Sequence, residues 1–180
     1  MRHTSVLSAL LVGATVLAAC SEKSADETVE RAFQDVNVID DANLNDVMLT
    51  VADPNEAVTY FQRIVKEQPD NIEFNRGLSQ SLIRAKRHDE GAAAWQRTVA
   101  LTGATDDDRV ELADALIRAG DWANAEKTLT AIPPTHETFK RYRLEAIVAD
   151  SKKQWKKADS FYEIAAGLTT SPAPVVNNWG

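Results

Sequence analysis

One spacing recurs along this chain and constrains its fold more than any other feature. Small residues stand at Ala57, Gly91, Ala125 and Ala158, each followed four positions later by a large one: Phe61, Trp95, Leu129 and Tyr162. The steps are 34, 34 and 33 residues. A second series, Leu44, Leu78, Leu112 and Trp179, advances by 34, 34 and 67, the last being two steps. Two independent series with one period are the mark of a repeat array. Within a unit the apolar residues follow helical spacing. Leu78, Leu82 and Ala85 fall at i, i+4, i+7, and Ala92, Trp95 and Val99 at i, i+3, i+7. Each unit is therefore expected to be a helix pair. The small residue lets its two helices approach, and the large one fills the space against the next unit. A single pair cannot bury its apolar face alone, so stacking supplies the core. Turn chemistry agrees. Asp53-Pro54 predicts an N-cap with proline in the first helical turn. Gly120-Asp121 and Pro133-Pro134 predict helix ends.

This spacing resembles the tetratricopeptide repeat, whose pattern is W-x2-L-G-x2-Y, then A-x3-F, then P. The first copy carries Ala57, Phe61 and Pro69, with Asn45 and Met48 in place of Gly and Tyr. The second has Leu78, Ser79, Leu82, Gly91 and Trp95. The third has Leu112, Ala113, Leu116, Ala125 and Leu129, with Gly120 at its turn. The fourth has Tyr142, Ala146, Ala158, Tyr162 and Ala165, with Glu145 where Leu is usual. The resemblance implies an all-α tetratricopeptide-repeat solenoid over residues 38–180. Its units are 38–71, 72–105, 106–138, 139–172 and a partial 173–180: about four helix pairs plus an incomplete fifth. Ser171-Pro172-Ala173-Pro174 breaks the fourth unit, and Trp179-Gly180 fall on the Leu and Gly positions of a new first helix. The expectation is a fragment of a longer protein, or a truncated form.

The amino terminus has a different character. Arg2 is followed by a mostly apolar, uncharged stretch of fourteen residues, Val6 to Ala19. A membrane span needs about 20, whereas a secretory signal needs less and ends in small residues. Leu17-Ala18-Ala19-Cys20 resembles the bacterial lipobox. That resemblance implies a signal peptide over 1–19, cleavage before Cys20, a covalent lipid on the Cys20 thiol, and a tether over 20–37. Two or more acyl chains give stable anchoring. Ser21 stands where Asp retains many such proteins in the inner membrane, which implies the periplasmic face of the outer membrane. Cys20 is the only cysteine, so an intramolecular disulfide, a CxxC pair and a multi-cysteine zinc site are excluded.

Charge narrows the partners. The chain has 20 basic and 27 acidic side chains, net −7, which suits nucleic acid poorly. The acidic excess lies early, while 139–160 is basic through Lys140, Arg141, Arg143, Lys152, Lys153, Lys156 and Lys157. One reading is a solvated face with cations at helix ends. The other is a docking patch for an acidic partner or anionic head groups.

Catalytic signals are sparse. His88 and His136 stand at predicted turns in different repeats. No His-x-x-x-His, nucleophile elbow or glycine-rich phosphate loop occurs. Asp106-Asp107-Asp108 precedes a helix, where acids favour the dipole, and lacks the later ligands of a calcium loop. No catalytic residue, metal or cofactor is expected beyond the lipid on Cys20. What remains is recognition. In tetratricopeptide repeats, first-helix positions 2, 5, 9, 12 and 13 line a concave groove. By that resemblance the candidate groove residues are Arg76, Gln80, Arg84, Asp114, Arg118 and Arg143. Arg76, Gln80 and Arg84 form a donor stripe suited to peptide carboxylates or backbone, or an ordinary solvated surface with Asp114–Arg118 as a local pair. The stretches DANLNDVMLTVADPNEAVTYF and GLTTSPAPVVNNWG resemble the TadD family of tight-adherence (Flp) pilus assembly lipoproteins. That resemblance implies a non-enzymatic scaffold for protein partners, with the secretin or other pilus components among them. A general envelope-assembly adaptor is the alternative, and a cell-wall hydrolase the least expected reading.

Overall fold

The computed structural model describes residues 44–170. Cys20, Leu17, Ala18, Ala19, the tether and the partial unit 173–180 lie outside the described residues. The described chain is helical throughout, with α1 over 44–50, α2 (Pro54–Glu67), α3 (Ile72–Arg84), α4 (His88–Thr98), α5 (Asp106–Arg118), α6 (Trp122–Thr130), α7 (Phe139–Ser151) and α8 (Trp155–Gly167). Helices α3 and α4, α5 and α6, and α7 and α8 pack as pairs, each against the next in sequence order from α2 onward, and α1 meets α2 where the Tyr60 hydroxyl donates to Asn45 Oδ1 at 2.8 Å. The first helices α3, α5 and α7 begin at Ile72, Asp106 and Phe139, and each is 13 residues long.

The local signals act as their chemistry requires. Asp53 accepts from the backbone N–H groups of Asn55 and Glu56, with Pro54 opening α2. Asn71 caps α3 in the same way. Thr105 and Asp108 form a reciprocal capping box on α5. Asp106, Asp107 and Asp108 are thus the first turn of α5 itself, not a segment ahead of it.

The turns inside the second, third and fourth pairs share one geometry. Lys86, Gly120 and Lys153 take left-handed backbone angles, with φ of 59°, 79° and 60°. In each, that residue's N–H reaches back three residues and the next N–H reaches back five. Arg87 N donates to Leu82 O at 2.9 Å, Asp121 N to Leu116 O at 2.8 Å and Gln154 N to Ala149 O at 3.0 Å. These are Schellman turns. Only Gly120 announces itself in the sequence. A lysine carries a steric penalty in this region that glycine does not.

The small and large repeat positions form the core. Ala57, Ala125 and Ala158 are buried, as are Phe61, Trp95, Leu129 and Tyr162, none more than 2% exposed. The ring of Phe61 packs onto Gly77 of the next repeat so closely that a Cβ there would lie 2.4 Å from Cε1. Three apolar clusters follow one another along the stack, one around Phe61, one around Trp95 and Leu129, and one around Tyr162. Their boundaries run through helices. In α7, Leu144 and Val148 face the middle cluster, whereas Ala146 and Ala149 belong to the last. Leu44 departs from its series: Leu78 and Leu112 are buried, but Leu44 is 39% exposed. No described helix precedes α1 to cover it.

Candidate functional site

A groove of about 260 Å³ opens between α3 and α5. Ile83, Trp95 and Ala115 supply its apolar surface, Gln80 and Arg84 line the α3 side, and Glu111 and Asp114 line the α5 side. The floor is apolar because Trp95 rises from α4 to close the gap between the two first helices. The rim is polar because positions facing outward on α3 and α5 carry hydrophilic side chains.

Most of the charged side chains around it are already partnered. The Arg76 guanidinium reaches across to Asp108 with two parallel bonds of 2.7 Å, from Nε and Nη2, and holds Glu73 at 2.5 Å through Nη1. Its bond to Asp108 raises the Arg76 pKa further above its usual range. Burial pushes the Asp108 carboxyl up, but the bonds from Arg76 and from the Thr105 backbone and hydroxyl outweigh it and hold the carboxyl below its ordinary value. Arg84 turns the other way, donating to Met48 O at 2.9 Å and Ala52 O at 3.0 Å. It satisfies carbonyls at and just beyond the end of α1, where a cation also complements the helix dipole. On the far side of α5, Lys140 lies 2.6 Å from Glu111 and 3.4 Å from Asp114. Asp114 also receives Arg118 Nε at 3.1 Å. Arg143 sits near Tyr162, whose hydroxyl donates to Asp150 at 2.8 Å. Burial first, then that bond and the Asp150 charge, raise the Tyr162 pKa, and Arg143 opposes the rise.

The candidate residues therefore divide. Gln80, Arg84 and Asp114 line one groove. Arg76 and Arg84 also tie successive first helices together, so the expected donor stripe is not an open one. Gln80 is its exposed middle member. Arg118 remains half exposed beyond its pair with Asp114, and Arg143 lies one repeat further along. Sequence reasoning missed Glu111, Trp95 and Ala115 as groove residues. Trp95 was legible as core but belongs to a second helix, and Glu111 falls outside the usual groove positions.

The acidic run on α5 is dispersed rather than gathered. Asp106 pairs with Arg109 at 2.5 Å, Asp107 lies 3.0 Å from His136, and Asp108 is engaged by Arg76. Among the described residues no group of three or more His, Cys, Asp or Glu is placed to hold a metal ion, and no helix is long and apolar enough to cross a membrane.

No family model and no curated protein matches this chain. Solved structures do. A thermophilic TPR protein of Thermus thermophilus, TTC0263, aligns with a TM-score of 0.59 at 12% identity, over 70% of this chain and 71% of that one. Two structures of MamA, a point mutant and the MSR-1 form, give TM-scores of 0.54 and 0.55 at 16% and 17% identity, each over 64% of this chain and 67% of theirs. The fold is a tetratricopeptide-repeat solenoid. In that frame α1, α3, α5 and α7 are the first helices of successive repeats. The solenoid's first-helix face is the one stitched by Arg84, Arg76 and Lys140, with one cross-repeat cation at each junction.

Proposed function

We propose that this solenoid is a non-enzymatic, lipid-anchored scaffold that binds protein partners during assembly of a tight-adherence (Flp) type pilus or its outer-membrane secretin. The observation that carries the binding role is the groove between α3 and α5. Its Trp95, Ile83 and Ala115 floor accepts apolar side chains, while Gln80 and Glu111 offer a donor and acceptors to a peptide backbone. The anchor is supported by Leu17-Ala18-Ala19-Cys20 and its likeness to the lipobox, and the pilus by the two stretches similar to the TadD family. Tethering at Cys20 would confine the groove to the periplasmic face of the outer membrane and raise its effective concentration near membrane-bound partners. A general envelope-assembly adaptor shares the fold and anchor, and differs only in the partner captured.

Two variants test this reading separately. Cys20→Ser is expected to abolish incorporation of labelled fatty acid and to leave an uncleaved or soluble chain. Continued labelling would remove the anchor. Gln80→Trp places a bulky ring on an exposed position of the groove, so thermal stability should change by less than about 0.5 kcal/mol, while crosslinking to envelope proteins in the native membrane falls at least tenfold. Unchanged crosslinking would move binding away from this groove. Recovery of secretin or other pilus components with the wild-type chain supports the pilus reading. Recovery of outer-membrane insertion or cell-wall machinery instead supports the adaptor.

A further inference from the structure

The basic set of the fourth repeat does not form one patch. Arg141 is buried and donates to Glu145 and to the Pro133 and His136 carbonyls, and Lys140 is drawn to α5. What remains at the surface is the α7–α8 turn, Lys152-Lys153-Gln154-Trp155-Lys156-Lys157. It holds four lysines and no acid. Trp155 at its centre is 59% exposed, the most exposed aromatic among the large described hydrophobics. Lys152 reaches Glu126 and Lys157 lies over the Phe161 ring at 5.6 Å. Lys153 and Lys156 make no ion pair among the described residues.

Packing does not call for the exposed indole or for so many lysines around it. Lys156 and Lys157 occupy the first turn of α8, the positive end of the helix dipole, where cations are unfavourable. Helices α2 to α5 each place an acid there, while α6 has none and α7 carries Lys140 and Arg141, both engaged by acids. The uncapped Gln154 and the left-handed Lys153 are matched by Arg87 and Lys86 at the α3–α4 turn and belong to the repeat geometry. A large indole is left in water. The exposed indole and the lysines around it make this turn a surface for something anionic and partly apolar.

We propose that the α7–α8 turn is an interfacial docking tip that seats Trp155 among the head groups of an anionic phospholipid bilayer, with the surrounding lysines drawn to lipid phosphates. The indole, apolar in body with a polar N–H, favours the membrane–water interface. All four cations are lysines. Ammonium groups serve diffuse attraction to a charged surface, whereas defined carboxylates of a protein partner favour the planar fork of arginine. Lys153, Gln154, Trp155, Lys156 and Lys157 line a hollow of about 460 Å³ that is shallow and wide open to solvent, which suits a head group at a surface better than the enclosed seat an acidic peptide segment would need. The tip uses none of the anchor's residues, so it stands whether or not the anchor does.

Tryptophan emission of the full-length chain tests the proposal. Vesicles of phosphatidylcholine with about one-third phosphatidylglycerol, carrying brominated acyl chains, should shift emission to the blue and quench it. Trp155→Phe should remove most of the quenched component. Neutralising Lys153 and Lys156 together to Gln should weaken vesicle binding at this site by at least about tenfold, at roughly fivefold per lysine, and high salt should mimic it. Circular dichroism should stay unchanged in both variants, since these side chains are exposed. No quenching, or quenching that survives Trp155→Phe, overturns the proposal. So does a Trp155 response to soluble polyglutamate without one to the vesicles, which would assign the tip to an acidic protein segment. Cys20→Ser run in parallel keeps the questions apart: lost lipidation with retained Trp155 quenching removes only the anchor.

Discussion

Replacing Trp95 with alanine is expected to cost about 3–5 kcal/mol of unfolding free energy. The ring is 2% exposed and belongs to the middle cluster with Val110, Leu112 and Leu129. Truncation removes its transfer free energy and opens a cavity continuous with the groove between α3 and α5. The neighbours are held by helix pairs on both sides and cannot collapse far into it. Guanidinium unfolding followed by helical circular dichroism should show a lower midpoint. A broadened transition would show the second repeat uncoupling from the third, because stability in a repeat array is a sum of units and nearest-neighbour interfaces. Trp95→Phe should recover part of the loss. A cost under about 1 kcal/mol would mean that the site closes over, and that Trp95 is not the plug between these repeats.

The second large effect belongs to Asp108. Its side chain is 5% exposed and receives Arg76 from the neighbouring repeat and Thr105 from its own helix cap. Asp108→Ala removes a capping box worth about 1 kcal/mol and strips Arg76 of a bidentate partner. Arg76 is 22% exposed and keeps Glu73, so solvent offsets part of that loss. The total should be about 2–3 kcal/mol. The pH dependence has a definite sign. The Asp108 pKa is lowered in the folded chain, so its contribution is fully present above the ordinary carboxylate value of about 3.9 and disappears as pH falls through the lower folded value. Urea unfolding across the acid range should therefore show the wild-type advantage over Asp108→Ala shrinking below about pH 4. A constant difference would show that the carboxylate charge contributes nothing to the tie.

Much of the fold was legible because its signals are local or periodic. Ala57, Ala125 and Ala158 mark helix crossings, and their spacing survives whatever occupies the surface. Asp53-Pro54 declares a cap without reference to distant residues. The site was less legible because its chemistry is cross-repeat. Arg76 and Arg84 occupy outward helical positions, and only the structure reveals Asp108 and the Met48 and Ala52 carbonyls opposite them, 32 to 36 residues away. Arg141 reads as one more surface cation until the Pro133–His136 segment folds over it. Lys86 and Lys153 conceal left-handed turns that glycine would have advertised, because the repeat geometry imposes the angle on whichever residue falls there.

Helix α6 ends after 9 residues, and residues 131–138 must pass before α7 begins. The two helices meet more sparsely than the other consecutive pairs from α2 to α8, leaving a hollow of about 250 Å³ over Leu129, Val148 and Phe161. Arg141 bridges the gap by gripping the connecting segment's carbonyls. A stack of repeats bears load joint by joint, like a line of couplings in series. This junction is the slack coupling. The last helix pair, with its own cluster around Tyr162, is therefore expected to be the first to exchange its amide hydrogens as a unit, ahead of the repeats that line the groove between α3 and α5.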